Sequence, residues 1–288
     1  METEQTTHPP SRAERSRHIL AILAKHGLSA AGAGLTSRNG RSEATAREVR
    51  LACEELGTTF IKLAQLLSAR SDLLPTDYRD ELAKLQDDVP PVEPALVERV
   101  FMEEFGAHPL ELFASFDLVP AASASIGQVH DARLADGREV AVKIRKPGVR
   151  ELVERDLEIL RGLTGAAERY FPSAAGYDLD GLLQEFDDTI HDELDYTREA
   201  RNIDMFAGFF SDEPGIEVPE VVRELSTSQI LTMTRAGGSR PEDVGGMTPR
   251  RRVAAAGRIA RFVLEPALVH GVFHADPHEG NVLVRRNG

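Results

Sequence analysis

The chain has 288 residues, 41% of them hydrophobic, which allows one or two domains around a real core. Its net charge is -13 with a pI near 5.2, which argues against a general nucleic-acid binder, since such a protein shows a basic face. Cys53 is the only cysteine, so there is no disulfide framework and no cysteine-based metal site, and a reducing intracellular setting is the simplest reading. The polar N-terminus, METEQTTHPPSRAERSRH, lacks the apolar core of a secretory signal. No uncharged run reaches the roughly 18 apolar residues of a membrane span. The expectation is a cytoplasmic chain whose contact with a membrane is peripheral at most.

Residues 1–43 are polar and small and are expected to form a flexible segment, with a short amphipathic turn at Ile19 to Leu23. From Ala44 the pattern is helical, with Val49, Leu56, Phe60, Leu63 and Leu67 forming an apolar stripe. Lys62 and Gln65 lie one turn apart beside that stripe, either as a solvated flank or as a functional pair. A second helix is predicted from Thr76, as N-cap, to about Gln86. The Pro90 to Pro94 stretch breaks it, and a third helix, Ala95 to Phe105, ends at Gly106. Residues 44–110 thus read as a helical extension.

The character then changes. Ala121 to Val129, AASASIGQV, is a small-residue loop running into a strand, and Asp136-Gly137 supplies the positive φ angles of a hairpin turn. Val140 to Ile144, VAVKI, is a strand with Lys143 inside it. A lysine in an apolar strand is costly to bury without an anionic partner. A phosphate reached from beneath the small-residue loop is one candidate, and an edge position facing solvent is the alternative. Helical patterns return at Arg150 to Arg169 and at Leu179 to about Phe210. Within the second, Glu193 and Asp195 are two apart and cannot share a helix face. A joint site needs a helix end or bend there; otherwise the segment is an acidic, solvated helix. Two strands, Pro219 to Arg223 and Gln229 to Thr234, precede a Gly-rich connection, Ala236 to Gly246, which is the expected hinge between lobes. Thr248 at N-cap and Pro249 at N1 start a helix running to about His270.

That helix feeds HADPHEGN, His274 to Asn281. A His, an Asp two residues on and an Asn five beyond have the spacing of a phosphoryl-transfer loop. In such a loop Asp276 takes or orients the acceptor proton and Asn281 offers an oxygen to Mg²⁺. The alternative is a surface turn rich in His, Asp, Pro and Gly.

Five stretches, in order, resemble the UbiB/AarF family of atypical kinase-like proteins linked to ubiquinone biosynthesis, from about Leu56 to Gly288. FIKLAQ, Phe60 to Gln65, is similar to that family's K-x-G-Q signature, with Ala64 in place of Gly, and SARSDLLP continues it. PAASASIGQVH resembles its Ala-rich replacement of the kinase Gly-rich loop, with Ser123 where Ala is more usual. VAVKIRKPGV, DELDYTREARN and HADPHEGN complete the match. The resemblance implies an α+β, protein-kinase-like two-lobe fold with an N-terminal helical extension. Residues 111–238 would form the N-lobe and 239–288 the start of a C-lobe. It implies ATP and Mg²⁺ as cofactors. Lys143 and the loop Ala122, Ser123, Ala124 and Ser125 would meet the nucleotide phosphates; Asp276 would be the catalytic acid and Asn281 a metal ligand. Lys62 and Gln65 would face Glu193 and Asp195 and block protein substrates, favouring a small-molecule or lipid-related role. The partner acid of Lys143 falls by spacing on Asp187 or the nearby Glu185. Quinone-pathway proteins or membrane lipids are the implied partners.

Asn287-Gly288 sets up a tight turn, and the sequence stops before the returning strand that leads to D-F-G in kinases. The expectation is a C-terminally truncated chain, lacking a metal ligand, with a rate loss on the order of a thousandfold or more. The apolar face of the Thr248 to His270 helix would be partly exposed. Two other classes compete: a non-catalytic pseudokinase module of a lipid-pathway complex, and a phosphotransferase of the aminoglycoside- or choline-kinase type.

Overall fold

In a computed structural model the described residues are 10–28, 41–85, 89–170, 178–243, 246–273 and 281–285. In chain order the helices and strands are α1 (Arg12–Lys25), α2 (Arg41–Leu56), α3 (Thr58–Ala69), α4 (Thr76–Leu82), α5 (Pro94–Phe105), α6 (Pro109–Leu112), β1 (Ser115–Phe116), β2 (Ala122–Ser123), β3 (Gly127–Arg133) and β4 (Glu139–Arg145). After them come α7 (Val149–Tyr170), α8 (Leu179–Leu194), α9 (Tyr196–Phe209), β5 (Ile230–Thr234) and α10 (Pro249–Glu265), which continues as a π-helical turn, Pro266–His270. The strands form one sheet in the order β1-β3-β4-β5, with β2 also pairing β3. Both short strands run antiparallel to β3, in registers Phe116↔Ala132 and Ser123↔Gln128.

The chain clusters into two compact units that interleave in sequence. Residues 1–106, 118–129 and 144–195 form one; residues 107–117, 130–143 and 196–288 form the other. In the first, α3 is apolar on two sides. Ile61 and Ala64 pack with Leu82 and Leu85, while Leu63 and Leu66 pack on Val153, Leu157, Leu183, Phe186 and Ile190 of α7 and α8. In the second, Tyr196 and Ala200 of α9 pack on Val221 and Leu231.

Several expectations are corrected. Residues 1–43 are not uniformly flexible, because α1 lies among them. Ser11 and Glu14 form a reciprocal capping box, and Arg15, Ile19 and Ile22 are buried. Arg15 makes two hydrogen bonds to the buried Asp156 carboxylate and a third to the Leu56 carbonyl. The helix read as continuous from Ala44 breaks at Gly57, whose φ of 89° and ψ of -159° belong to glycine alone. The helix read from Leu179 to Phe210 breaks at Asp195, with φ -112° and ψ 94°. Thr76 is the first residue of α4 and Pro75 its cap. Residues 219–223 do not form a full strand. Val222 and Glu220 bond to Thr232 and Thr234, but a 3-10 turn at Arg223–Leu225 cuts the pairing short. There the Ser226 hydroxyl accepts from the Thr232 N–H in place of a backbone carbonyl. The Thr248 cap forms, accepting from the Arg251 N–H. Val253 and Leu268 on the following face are 73% and 81% exposed.

Candidate functional site

Strand alternation sets Lys143 apart from its apolar neighbours. Val140, Val142 and Ile144 are buried on one face of β4, and Lys143 projects from the other. Its Nζ lies 2.7 Å from Glu199 Oε2 and 4.8 Å from the centroid of the Tyr196 ring. Both partners come from the first turn of α9, three residues apart and so on one face. The ring is fixed because Tyr196 is 1% exposed, its N–H donating to the Ser228 carbonyl at 3.2 Å. Lys143 and Glu199 each remain about a third exposed, at 32% and 36%. The ammonium is therefore oriented by a carboxylate and an aromatic face while part of it stays exposed.

This corrects the assignment of the lysine's partner acid. Glu185 pairs with Arg70 at 2.8 Å, and Asp187 is engaged by Arg161 and by His191. Glu199 escapes the sequence reading, although it sits on a stripe flanked by Tyr196, Ala200 and Ile203 that carries the signal. The obstacle is the break at Asp195, which shifts the helical phase between Glu193 and Glu199.

In the other unit, Lys62 Nζ lies 2.9 Å from Glu193 Oε2, with the lysine side chain 17% exposed. Its neighbours Ile61 and Leu63 are drawn to opposite sides of α3, leaving Lys62 between the two packed faces. Gln65 Nε2 donates to the Leu85 carbonyl at 3.4 Å. The helix end that Glu193 and Asp195 would need for a joint site is present, since α8 stops at Leu194 and Asp195 caps it. The buried Arg145 guanidinium donates to the Leu194 carbonyl at 2.5 Å, satisfying one of the carbonyls a helix end leaves open.

Ala122 and Ser123 form β2, and Ala124 and Ser125 continue the hairpin back toward β3. The Ala121 and Ala124 N–H groups donate to the carbonyls of Val129 and Gly127, each at 2.8 Å. Ser125 is buried, and its carbonyl accepts from the Thr58 hydroxyl at the start of α3, at 2.9 Å. Asp276 lies outside the described residues, as does the rest of HADPHEGN before Asn281. Asn281 is described and exposed. Among the described residues no group of three or more His, Cys, Asp or Glu side chains could hold a metal. Burial first, then the neighbouring Glu54 carboxylate, pushes the Cys53 thiol up to about 12, which keeps it in the less reactive protonated form.

A sheet whose inner-strand lysine is gripped by a glutamate from a nearby helix is the mark of a protein-kinase-like fold. The chain belongs to the ABC1 atypical kinase-like family, whose domain model matches residues 84–288. It is 39% identical over 236 residues to ACTIVITY OF BC1 COMPLEX KINASE 8 of Arabidopsis thaliana, covering 80% of this chain and 30% of that protein. It is equally 39% identical over 238 residues to a probable protein kinase UbiB of Pseudomonas putida, covering 82% of this chain and 44% of the relative. The chain thus spans less than half the length of these curated relatives. A solved structure of Rv3197 of Mycobacterium tuberculosis, in complex with erythromycin, superposes with a TM-score of 0.60 at 32% identity, covering 85% of this chain and 64% of that one.

Proposed function

We propose that this chain binds ATP through Lys143 and is the nucleotide-binding part of an atypical kinase or ATPase serving quinone-type lipid biosynthesis. The observation that carries the reading is the 2.7 Å contact between Lys143 and Glu199 on a partly open face of β4. A lysine so held presents its charge to the α/β-phosphates, and the glutamate keeps the flexible side chain aimed. The Tyr196 ring adds a cation–π contact that narrows its range. Asn281 would offer its side-chain oxygen to Mg²⁺, a hard cation that would supply neutralising charge to the phosphates. Asp276 is assigned the acceptor-proton role, and Ala122 to Ser125 the cover over the phosphates. Lys62 and Glu193 form an ion pair; the family resemblance assigns these residues to an extension that keeps out protein substrates, which favours a small or lipid-related acceptor. The names of the relatives support the kinase class and, with the motif resemblance, the quinone-pathway setting. No helix among the described residues is long and apolar enough to cross a membrane.

Mg-ATP at a hundredfold excess over its Kd should stabilise the protein by about 2.7 kcal/mol. The gain should vanish in Lys143→Ala and shrink in Glu199→Gln. A wild-type melting temperature indifferent to millimolar Mg-ATP overturns the proposal. Nucleotide binding with turnover no faster than that of Asp276→Asn would instead identify a non-catalytic, regulatory module.

A further inference from the structure

The segment joining α4 to α5 reads Val-Pro-Pro-Val-Glu-Pro over residues 89–94. Prolines lack a backbone N–H, so this segment cannot join a ladder of its own, and its polar backbone groups need outside partners. Three side chains of the same compact unit supply them. The Ser123 hydroxyl donates to the Val89 carbonyl at 2.6 Å. The Lys146 ammonium donates to the Pro90 carbonyl at 3.0 Å and, at 3.4 Å, to that of Val89. Gln128 Oε1 accepts from the Val92 N–H at 2.9 Å. Ser123 and Gln128 are register partners across the β2–β3 hairpin, so the contacts grip both strands of the small-residue loop. Gln128 and Lys146 are 1% and 8% exposed, and all four bonds are at least partly buried, so each is worth more than a bond on the open surface.

We propose that residues 89–94 form a strap that latches the Ala122–Ser125 loop, with Ser123, Gln128 and Lys146 as its positioning residues. The latch sets how firmly the loop is held when a nucleotide arrives. That second part rests on the ATP-binding reading above; the latch itself does not. Ser123 is central because alanine, which would fill the same space, has no hydroxyl to offer the Val89 carbonyl. The loop of this chain is therefore held by a bond that an all-alanine loop lacks. Held in place, the loop gives up less freedom on closing over phosphates, and binding is tighter for it.

Amide hydrogen exchange of the whole chain without nucleotide, comparing wild type with Ser123→Ala, tests the latch. Exchange should quicken about fivefold in both 89–94 and 121–129, as expected for one lost hydrogen bond, while the melting temperature scarcely moves. Ser123→Thr, which keeps the hydroxyl, should restore protection, and Lys146→Met should loosen the same two segments. Unchanged exchange in folded Ser123→Ala, or acceleration spread over the whole chain, overturns the latch. Mg-ATP affinity should fall about fivefold in Ser123→Ala, and equal affinity in the face of faster exchange refutes the link to binding. If wild type binds no nucleotide while the segments still respond, the ATP reading fails and the latch stands.

Discussion

Replacing Arg15 by methionine should unfold the helical extension more easily than any surface change. Its guanidinium meets Asp156 through two hydrogen bonds of 2.7 and 2.8 Å, and the side chains are 7% and 0% exposed. A third bond of 2.8 Å ends on the Leu56 carbonyl, and the guanidinium lies 5.8 Å from the Phe60 ring centroid. Arg15→Met leaves a carboxylate buried without its counter-charge, which costs about 3–5 kcal/mol. In a chain of this size that corresponds to a melting temperature lower by about 10 °C. Asp156→Leu strands the arginine instead and should cost a similar amount. The double variant removes both charges and should recover much of the loss, giving a coupling energy of about 2 kcal/mol or more. Urea unfolding followed by circular dichroism measures all three. Losses below about 1 kcal/mol for the single variants, or losses that simply add, would refute the view that this pair fastens α1 to α7 and to the α2–α3 junction.

Three further outcomes are expected. Tyr196→Leu should weaken Mg-ATP binding about threefold, as loss of a partly exposed cation–π contact predicts, while Tyr196→Phe should leave it unchanged in an equilibrium titration. Gly57→Ala should cost about 1–3 kcal/mol in denaturant unfolding; an added Cβ meets nothing within 4 Å, so the whole penalty is torsional. The third concerns His26, whose ring nitrogens contact Glu48 at 2.8 Å and Glu55 at 3.0 Å, with Lys25 also on Glu55. The Glu48 contact first, then Glu55, raises its pKa above the ordinary 6.5. Its stabilising contribution is then complete below about pH 6.5 and lost as pH rises through the raised value. His26→Gln should flatten stability in that window, and an unchanged pH slope would exclude the ion-paired role.

The parts of the fold that local chemistry dictates are legible in the chain. Pro94 and Gly106 frame α5, Asp136-Gly137 turns the β3–β4 hairpin, and Thr248-Pro249 starts α10, each through backbone preferences confined to two or three residues. Lys143 is legible because one charge among valines calls for a partner. The identity of that partner is not, since it depends on where α8 ends, and nothing in HDELDYTREA forces a break at Asp195. Gly57 hides in the sequence because the apolar stripe continues in phase on both sides of it. Helix α1 is easily undervalued although Ser11-Arg-Ala-Glu14 carries a capping signature. Its stability comes from Asp156, 141 residues away, and a sequence does not display such a pairing.

The break at Asp195 separates two carboxylates with different employers: Glu193 on α8 holds Lys62, and Glu199 on α9 holds Lys143. Each residue added to a helix rotates all later positions by about 100°. Inserting or deleting one residue in the first turn of α9, before Glu199, would swing that glutamate off its lysine while leaving Glu193 untouched. Along this stretch, then, spelling is more forgiving than length: many letters could be exchanged, but none added or removed, without parting a lysine from its acid.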